Sequence, residues 1–335
     1  MKIAGPDAVL WVILVLLAGT ACAPPAADVT ECADPPLVTV TGEESSPGNA
    51  VVLWGPSGRV DALIPDPATA EPAMSPDGRT VAFISGKGDP SDSTGFDESR
   101  VGVVSVETRE VTLLSASVQG SLVGDLQWST DGSEVAFIRY GNDAREIMAV
   151  RLEDGEERRL LNVTEFESGS FNWSPDGREL LVPTSPDPDL PPLTGPPWRY
   201  PDELRRYSVE TGEYLTVEND HTFIVDVAWS PDGRLVAMET DSPGTGRIRL
   251  WVLDLETGDS QPVDRRRGGP RSISWSGPYM IYTYNEYFGG TDSQLMLMRW
   301  DSRSQERARI SRPGLDRFAH HLATISAPRC AGWPQ

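Results

Sequence analysis

Short apolar runs recur along the chain: Val81-Ala82-Phe83-Ile84, Val135-Ala136-Phe137-Ile138, Leu180-Leu181-Val182, Leu235-Val236-Ala237-Met238 and Met280-Ile281-Tyr282. They lack the apolar–polar alternation of a half-exposed strand, so they predict strands buried on both faces. One polar phrase stands ahead of each: Ser75-Pro76-Asp77-Gly78, Ser129-Thr130-Asp131-Gly132, Ser174-Pro175-Asp176-Gly177, Ser230-Pro231-Asp232-Gly233 and a degraded Ser276-Gly277-Pro278. Proline presets φ, aspartate bonds the backbone beyond it and glycine takes a left-handed conformation, so each phrase predicts a tight turn between two strands. Trp128, Trp173, Trp229 and Trp275 precede four of the serines and Met74 the other. A large apolar ring with one N–H is suited to wedging between neighbouring sheets.

A second hairpin follows in every unit. Val101–Leu114 turns at Glu107-Thr108-Arg109-Glu110, Ile147–Leu161 at Glu153-Asp154-Gly155-Glu156, and Leu204–Val217 at Glu210-Thr211-Gly212-Glu213. Ile248–Val263 turns at Glu256-Thr257-Gly258-Asp259, and Leu295–Ile310 near Asp301-Ser302. Four strands per unit of roughly 50 residues is the period of a β-propeller blade. Val51–Leu63, turning at Gly55-Pro56-Ser57-Gly58, has the character of an outer hairpin, and Phe318–Ile325 that of inner-strand material. Joined across the termini they make a sixth blade and leave no exposed sheet edge in the ring. The expected fold is therefore all-β: a six-bladed propeller of four-stranded antiparallel blades. Seven blades is the alternative, with Leu37–Val40 in a further unit.

These Trp-Ser-Pro-Asp-Gly units resemble those of the TolB-like propellers, also called WD40-like Pro-Asp repeats. The resemblance spans essentially the whole expected domain. It implies a periplasmic or cell-surface binding module, and it also reaches the propellers that precede the hydrolase domain of prolyl-oligopeptidase-like enzymes. The repeated turns serve the fold in all of them, so residues 75–78 and their equivalents are not expected to form a binding site.

The N-terminus changes the picture. Ala8–Leu17 is an apolar run behind Lys2, and Ala18-Gly19-Thr20-Ala21 leads into Cys22. The run is shorter than the ~20 apolar residues that span a bilayer, so residues 1–21 read as a signal peptide. Ala18–Cys22 resembles a bacterial lipobox, which implies lipidation at Cys22. Ala23–Glu31 is Pro/Ala-rich and polar, as expected of a tether, so residues 22–35 are expected to tether a single propeller domain over 36–335. Plain secretion is the alternative. Cys32 and Cys330 bracket the domain, an even pair in an oxidising compartment, and are expected to form a disulfide. Closing that loop stabilises by about 4–5 kcal/mol on a chain-entropy account.

The formal charge of −21 disfavours a nucleic-acid partner, since phosphate binding needs a basic face. Chemistry is sparse. No Gly-x-Ser-x-Gly elbow occurs; Ser168-Gly169-Ser170 reads as a loop. The histidines are His221, His320 and His321, and the adjacent pair would point to opposite faces of a strand, away from a common metal. Asp89, Asp92, Asp97 and Glu98 crowd one loop but lack the spacing and central glycine of a calcium loop, so a solvated acidic loop is expected. No cofactor or metal is expected.

Three insertions are long: Ser85–Arg100, Ser185–Asp202 and Tyr284–Asp292. They join second to third strands, at the end of the blades opposite the Pro-Asp-Gly turns, and function concentrates on loops held by a rigid scaffold. Aromatics with arginine on such loops make interface anchors, so Trp198, Arg199, Tyr200, Tyr287 and Phe288 are the expected docking residues. A lid packed over the ring is the competing reading. Arg265-Arg266-Arg267 reads as a solvated charge run. Two function classes stay open. One is a non-catalytic binding or scaffold lipoprotein of the cell envelope, monomeric, engaging an envelope protein or peptide. The other is a propeller enzyme, hydrolase or lyase, acting on envelope glycans or peptides, with Asp226 pointing into the channel.

Overall fold

The computed structural model describes residues 35–42, 49–55, 58–64, 69–87, 98–115, 118–119, 122–140, 145–163, 170–185, 202–217, 219–221, 223–240, 248–264, 270–289, 292–310 and 325–326. They form six antiparallel sheets arranged as a six-bladed propeller, with no helix among the described residues. The closing blade, blade 6, takes β1 (Leu37–Gly42), β2 (Asn49–Gly55) and β3 (Gly58–Ile64) from the beginning of the chain. Blade 1 is β4 (Thr69–Met74), β5 (Thr80–Lys87), β6 (Glu98–Ser105) and β7 (Val111–Leu113), with β8 (Val118–Gln119) added to β6. Blade 2 is β9 (Leu122–Trp128), β10 (Glu134–Tyr140), β11 (Arg145–Arg151) and β12 (Glu157–Val163). Blade 3 is β13 (Asn172–Trp173), β14 (Glu179–Thr184), β15 (Glu203–Ser208) and β16 (Tyr214–Val217). Blade 4 is β17 (Ile224–Trp229), β18 (Leu235–Thr240), β19 (Arg249–Asp254) and β20 (Ser260–Asp264). Blade 5 is β21 (Pro270–Ser276), β22 (Tyr279–Gly289), β23 (Asp292–Asp301) and β24 (Arg307–Ile310). β25 (Ile325–Ser326) completes blade 6.

Closure differs from the sequence reading in one respect. The hairpin β2–β3 takes its next strand from the N-terminal side: β1 pairs β2 along its whole length, Leu37 opposite Trp54 through Gly42 opposite Asn49. The C-terminal side supplies β25, with Val38 opposite Ser326 and Thr39 opposite Ile325. Leu37–Gly42 thus belongs to the sixth blade and founds no seventh. Residues 318–324 lie outside the described residues, as do Cys22, Cys32 and Cys330.

The doubly buried runs behave as their composition requires. Successive side chains on a strand point to opposite faces, and here the opposite faces meet different neighbours. On β5, Val81 and Phe83 pack with Val38 and Val51 of blade 6, whereas Ala82 and Ile84 pack with Leu126 and Phe137 of blade 2. On β10, Val135 and Phe137 face blade 1 while Ala136 and Ile138 join Leu180 and Val182 of blade 3. Leu181 turns to Val236 and Met238 of blade 4, and Ala237 to Met280 of blade 5. The core is thus a set of layers between blades, in which each fully buried Val, Leu or Ile contributes roughly 1.5–3 kcal/mol.

The repeated turn is a closed hydrogen-bond unit. Ser75 Oγ donates to Asp77 Oδ1 (2.6 Å) and accepts from Thr80 N (2.9 Å), while Arg79 N donates to the same carboxylate oxygen (3.0 Å). Gly78 sits at φ 72° and its N–H donates to Ser75 O (2.9 Å). The pattern repeats at Ser129, Ser174 and Ser230, and all four serines are buried. Donation from the serine hydroxyl is the chief cause holding the carboxyls of Asp77, Asp131 and Asp176 below the ordinary range.

The tryptophans reach across the junctions. Trp128 Nε1 donates to Ala73 O of blade 1 (2.8 Å) and Trp275 Nε1 to Ala228 O of blade 4 (3.1 Å). Trp229 instead donates to Gly233 O in its own turn (2.9 Å).

Candidate functional site

The innermost strands wall the central channel, and all but the short β13 among those of blades 1 to 5 carry an irregularity in pairing. The register shifts between Ala70 and Ala73 on β4, opposite Ala136–Ile138 on β9, between Ile224 and Asp226 on β17, and between Pro270 and Ile273 on β21. A bulge swings a side chain out of the regular alternation, and at this level it swings polar groups toward the neighbouring blade. Asp125, at φ 49° in the bulge of β9, accepts from Phe171 N of blade 3 (2.8 Å) and from Gln127 Nε2 (3.4 Å). Asn172 Nδ2 donates back to Gln127 Oε1 (3.2 Å), and Asn172 Oδ1 accepts from Trp229 N of blade 4 (2.9 Å). Ser170 Oγ donates to Asp226 Oδ1 (2.6 Å), which also accepts from Val227 N (2.8 Å). A belt of hydrogen bonds therefore runs from blade 2 through blade 3 to blade 4 around the channel wall.

Asp226 lies at the blade 4 end of this belt. Burial pushes its carboxyl above the ordinary range, against the opposing pull of the Ser170 and Val227 donors. It stands opposite Glu239 in the β17–β18 register; Glu239 is buried, whereas Asp226 keeps part of its surface exposed. Sequence reasoning singled out Asp226 but missed Asp125, Gln127, Ser170 and Asn172. The available signal was a polar residue at a fixed offset, one or three positions before the repeated tryptophan.

The expected docking residues divide. Trp198, Arg199 and Tyr200 lie outside the described residues, as do Arg265–Arg267, His320, His321, Asp89, Asp92 and Asp97; Glu98 opens β6. Tyr287 and Phe288 are described by backbone, and they do not sit on a loop. β22 runs for 11 residues and β23 for 10, paired from Tyr279 opposite Asp301 up to Gly289 opposite Asp292. Within the expected loop, Tyr284 is in fact buried in the layer between blades 4 and 5. The sequence reading mistook this segment because Asn285, Gly289 and Gly290 are turn-type residues, whereas the continuous ladder overrides them.

β21 pairs β22 no further than Tyr284, and β24 pairs β23 no further than Leu297. Beyond those points, Asn285–Gly289 and Asp292–Leu295 pair only with each other among the described residues. Over this stretch the two strands form a paired ribbon about 15 Å long at 3.3 Å per residue. It lies at the end of the propeller opposite the Ser-Pro-Asp-Gly turns, since it joins second to third strand.

His221 is half-buried between blades 3 and 4. Its Nε2 lies 2.9 Å from Ser260 Oγ and its ring 4.4 Å from that of Trp251. Desolvation pushes its pKa down, against the opposing charge of Asp220. Among the described residues no group of three or more His, Cys, Asp or Glu side chains could hold a metal.

The chain is similar in structure to TolB from Acinetobacter baumannii, with 16% sequence identity over 88% of this chain and 67% of that one, at a TM-score of 0.65. The fold is that of the TolB propeller. A protein from Agrobacterium tumefaciens assigned as TolB is 14% identical over 83% of this chain and 89% of that chain, with a TM-score of 0.53. The oligogalacturonate lyase of Vibrio parahaemolyticus is 18% identical over 82% and 73%, also at 0.53. At these identities the likeness is one of fold, and TolB-like propellers and propeller lyases share it. No protein-family description matches the sequence, and no curated protein does.

Proposed function

We propose that this TolB-like propeller is a non-catalytic binding and scaffold lipoprotein of the bacterial cell envelope. It docks a protein or peptide on the face opposite the Ser-Pro-Asp-Gly turns. The observation that carries this reading is the β22–β23 ribbon, a continuous antiparallel extension on which the Tyr287 and Phe288 positions lie. Aromatic positions on a stiff support make anchors. The proposal also includes Trp198, Arg199 and Tyr200, which lie in the sequence between β14 and β15.

The binding reading is supported over an enzymatic one by the channel wall. Glycoside hydrolysis needs two carboxyl groups roughly 5–9 Å apart that are available to substrate. Asp125 and Asp226 each accept a hydrogen bond from the neighbouring blade, which gives both a structural role in the wall. In the same proposal Cys22 carries the lipid, residues 22–35 form the tether, and Cys32–Cys330 locks the ring. Loss of palmitate labelling in Cys22→Ser, and a mobility shift on reduction that vanishes in Cys330→Ser, test those parts separately.

The docking itself is tested by placing a photo-crosslinking amino acid at Tyr287 or Phe288 in the membrane-bound protein, with Thr108 on the opposite face as control. One discrete adduct from the ribbon positions and none from the control is expected. Equal labelling at all three positions, or none, overturns the proposal. Turnover of envelope glycans that is lost in Asp226→Asn would establish the enzyme instead.

A further inference from the structure

The outermost strand of a propeller blade is a sheet edge, and natural edges are guarded by charge or proline. Four of the outer strands follow that rule: β3 carries Arg59 and Asp61, β12 Glu157 to Arg159, β20 Pro262 and β24 Arg307 and Arg309. β7, Val-Thr-Leu, and β16, Tyr-Leu-Thr-Val, have neither. Every large apolar side chain that is strongly exposed among the described residues lies on these two strands: Val111, Leu113, Tyr214 and Leu215. β7 is three residues long, and the edge it begins is interrupted before β8. β16 is continuous, and Leu215 on it is 68% exposed.

We propose that the β16 edge of blade 3 docks an extended, apolar peptide segment flanked by basic residues, which adds to the blade as a fifth strand. Three features point to this occupant. The strand is prepared: the Arg205 guanidinium lies 4.4 Å from the Tyr214 ring and the Tyr207 ring 5.3 Å from it, so Tyr214 is held before binding and little side-chain freedom remains to be lost. Leu215, on the opposite face, is the exposed apolar contact for a strand-like ligand, while Val217 beside it is anchored against the layer between blades 3 and 4. The flanks are acidic. Glu210 and Glu213 precede the strand and Asp220 follows it; all three are exposed, and neither glutamate takes part in an ion pair among the described residues. A second copy of this chain would bring the same acidic flanks and a net charge of −21 to the edge, and like charges are repelled there.

This site is on the periphery of blade 3, away from the β22–β23 ribbon, so the two proposals stand or fall separately. The probe is a short peptide of alternating valine and threonine with lysines at both ends, titrated by fluorescence anisotropy against the whole exported domain. A twin with glutamates at both ends is the comparison. The lysine-ended peptide is expected to bind at least about tenfold more tightly, with the advantage falling as salt is raised. Hydrogen exchange is expected to slow at the amides of residues 214–217. Leu215→Lys, at an exposed position that the fold does not need, is expected to abolish binding, while Tyr287→Ala leaves it unchanged. Equal affinity for both peptides, unchanged exchange at 214–217, or full binding by Leu215→Lys overturns the proposal. So does a wild-type dimer that Leu215→Lys converts to monomer, because the occupant is then a second copy.

Discussion

The outer turns of the blades contain a matched internal experiment on backbone conformation. In blades 2, 3 and 4 the residue that closes the turn is glycine with positive φ: Gly155 at 71°, Gly212 at 72° and Gly258 at 76°. In blades 1 and 5 the same position is filled by Arg109 at 63° and Gln305 at 60°. The turn is otherwise the same, with Gly212 N donating to Ser208 O (2.8 Å) and Gln305 N donating to Asp301 O (2.7 Å). A left-handed conformation costs an L-residue roughly 1–2 kcal/mol, and glycine returns about 0.5–1 kcal/mol of that through its freer unfolded chain. Gln305→Gly should therefore stabilise by about 0.5–1 kcal/mol, and Gly212→Ala should destabilise by a similar amount. Gly212 is the clean test, because a Cβ there would meet nothing within 4 Å, so any loss comes from the backbone and not from a clash. The assay is urea unfolding of the full chain, reading the midpoint at constant m-value. Opposite shifts of similar size are expected. A neutral Gly212→Ala together with a destabilised Gln305→Gly would refute the assignment of strain to these turns.

Other outcomes follow from the layers and the belt. Gly102 lies opposite Phe83, and a Cβ at 102 would stand 2.7 Å from Phe83 Cζ; Gly102→Ala should cost about 1–3 kcal/mol by overpacking, measured by the same unfolding midpoint. Trp128→Phe removes the bond to Ala73 O across a blade junction and should cost about 1–3 kcal/mol beyond the ring area lost. Trp173→Phe should lose the area alone, because Trp173 Nε1 has no hydrogen-bond partner among the described residues; equal losses in the two variants would contradict this. Asp226→Asn keeps an oxygen for the Ser170 and Val227 donors and removes a carboxyl whose pKa burial has raised. In the wild type the folded state holds that proton more tightly than the unfolded chain, whose value is about 3.9. Stability therefore falls as pH rises from there through the raised folded value. The variant should gain on wild type across that window and match it below, as thermal unfolding from pH 3 to 8 would report. Asp77, Asp131 and Asp176 have the opposite sign. Their depressed carboxyls stabilise above the unfolded value, and this is lost as pH falls through the folded one, so Ser→Ala at residues 75, 129 and 174 together should move acid unfolding to higher pH.

What the sequence determined was whatever its neighbours along the chain could enforce. Ser-Pro-Asp-Gly closes on itself through bonds spanning no more than five residues, so the turn, its period and the strands on either side were legible, and with them the six-bladed ring. The doubly buried character of Val135-Ala136-Phe137-Ile138 was legible too, because a strand facing water on one side would alternate. Tertiary structure decided the rest. Which neighbour each alternate residue meets, blade 1 for Phe137 and blade 3 for Ile138, depends on ring order. The closure by three strands from one end and one from the other follows from the pairing of β1, which no local signal fixes. The channel belt joins Ser170 to Asp226 across 56 residues and turns on bulges that no single strand's composition reveals. The ribbon carrying Tyr287 and Phe288 is a strand because its two sides pair, although its own residues favour a turn. Local turn chemistry is encoded where it acts, whereas polar partners and open edges exist only once distant segments have been brought together.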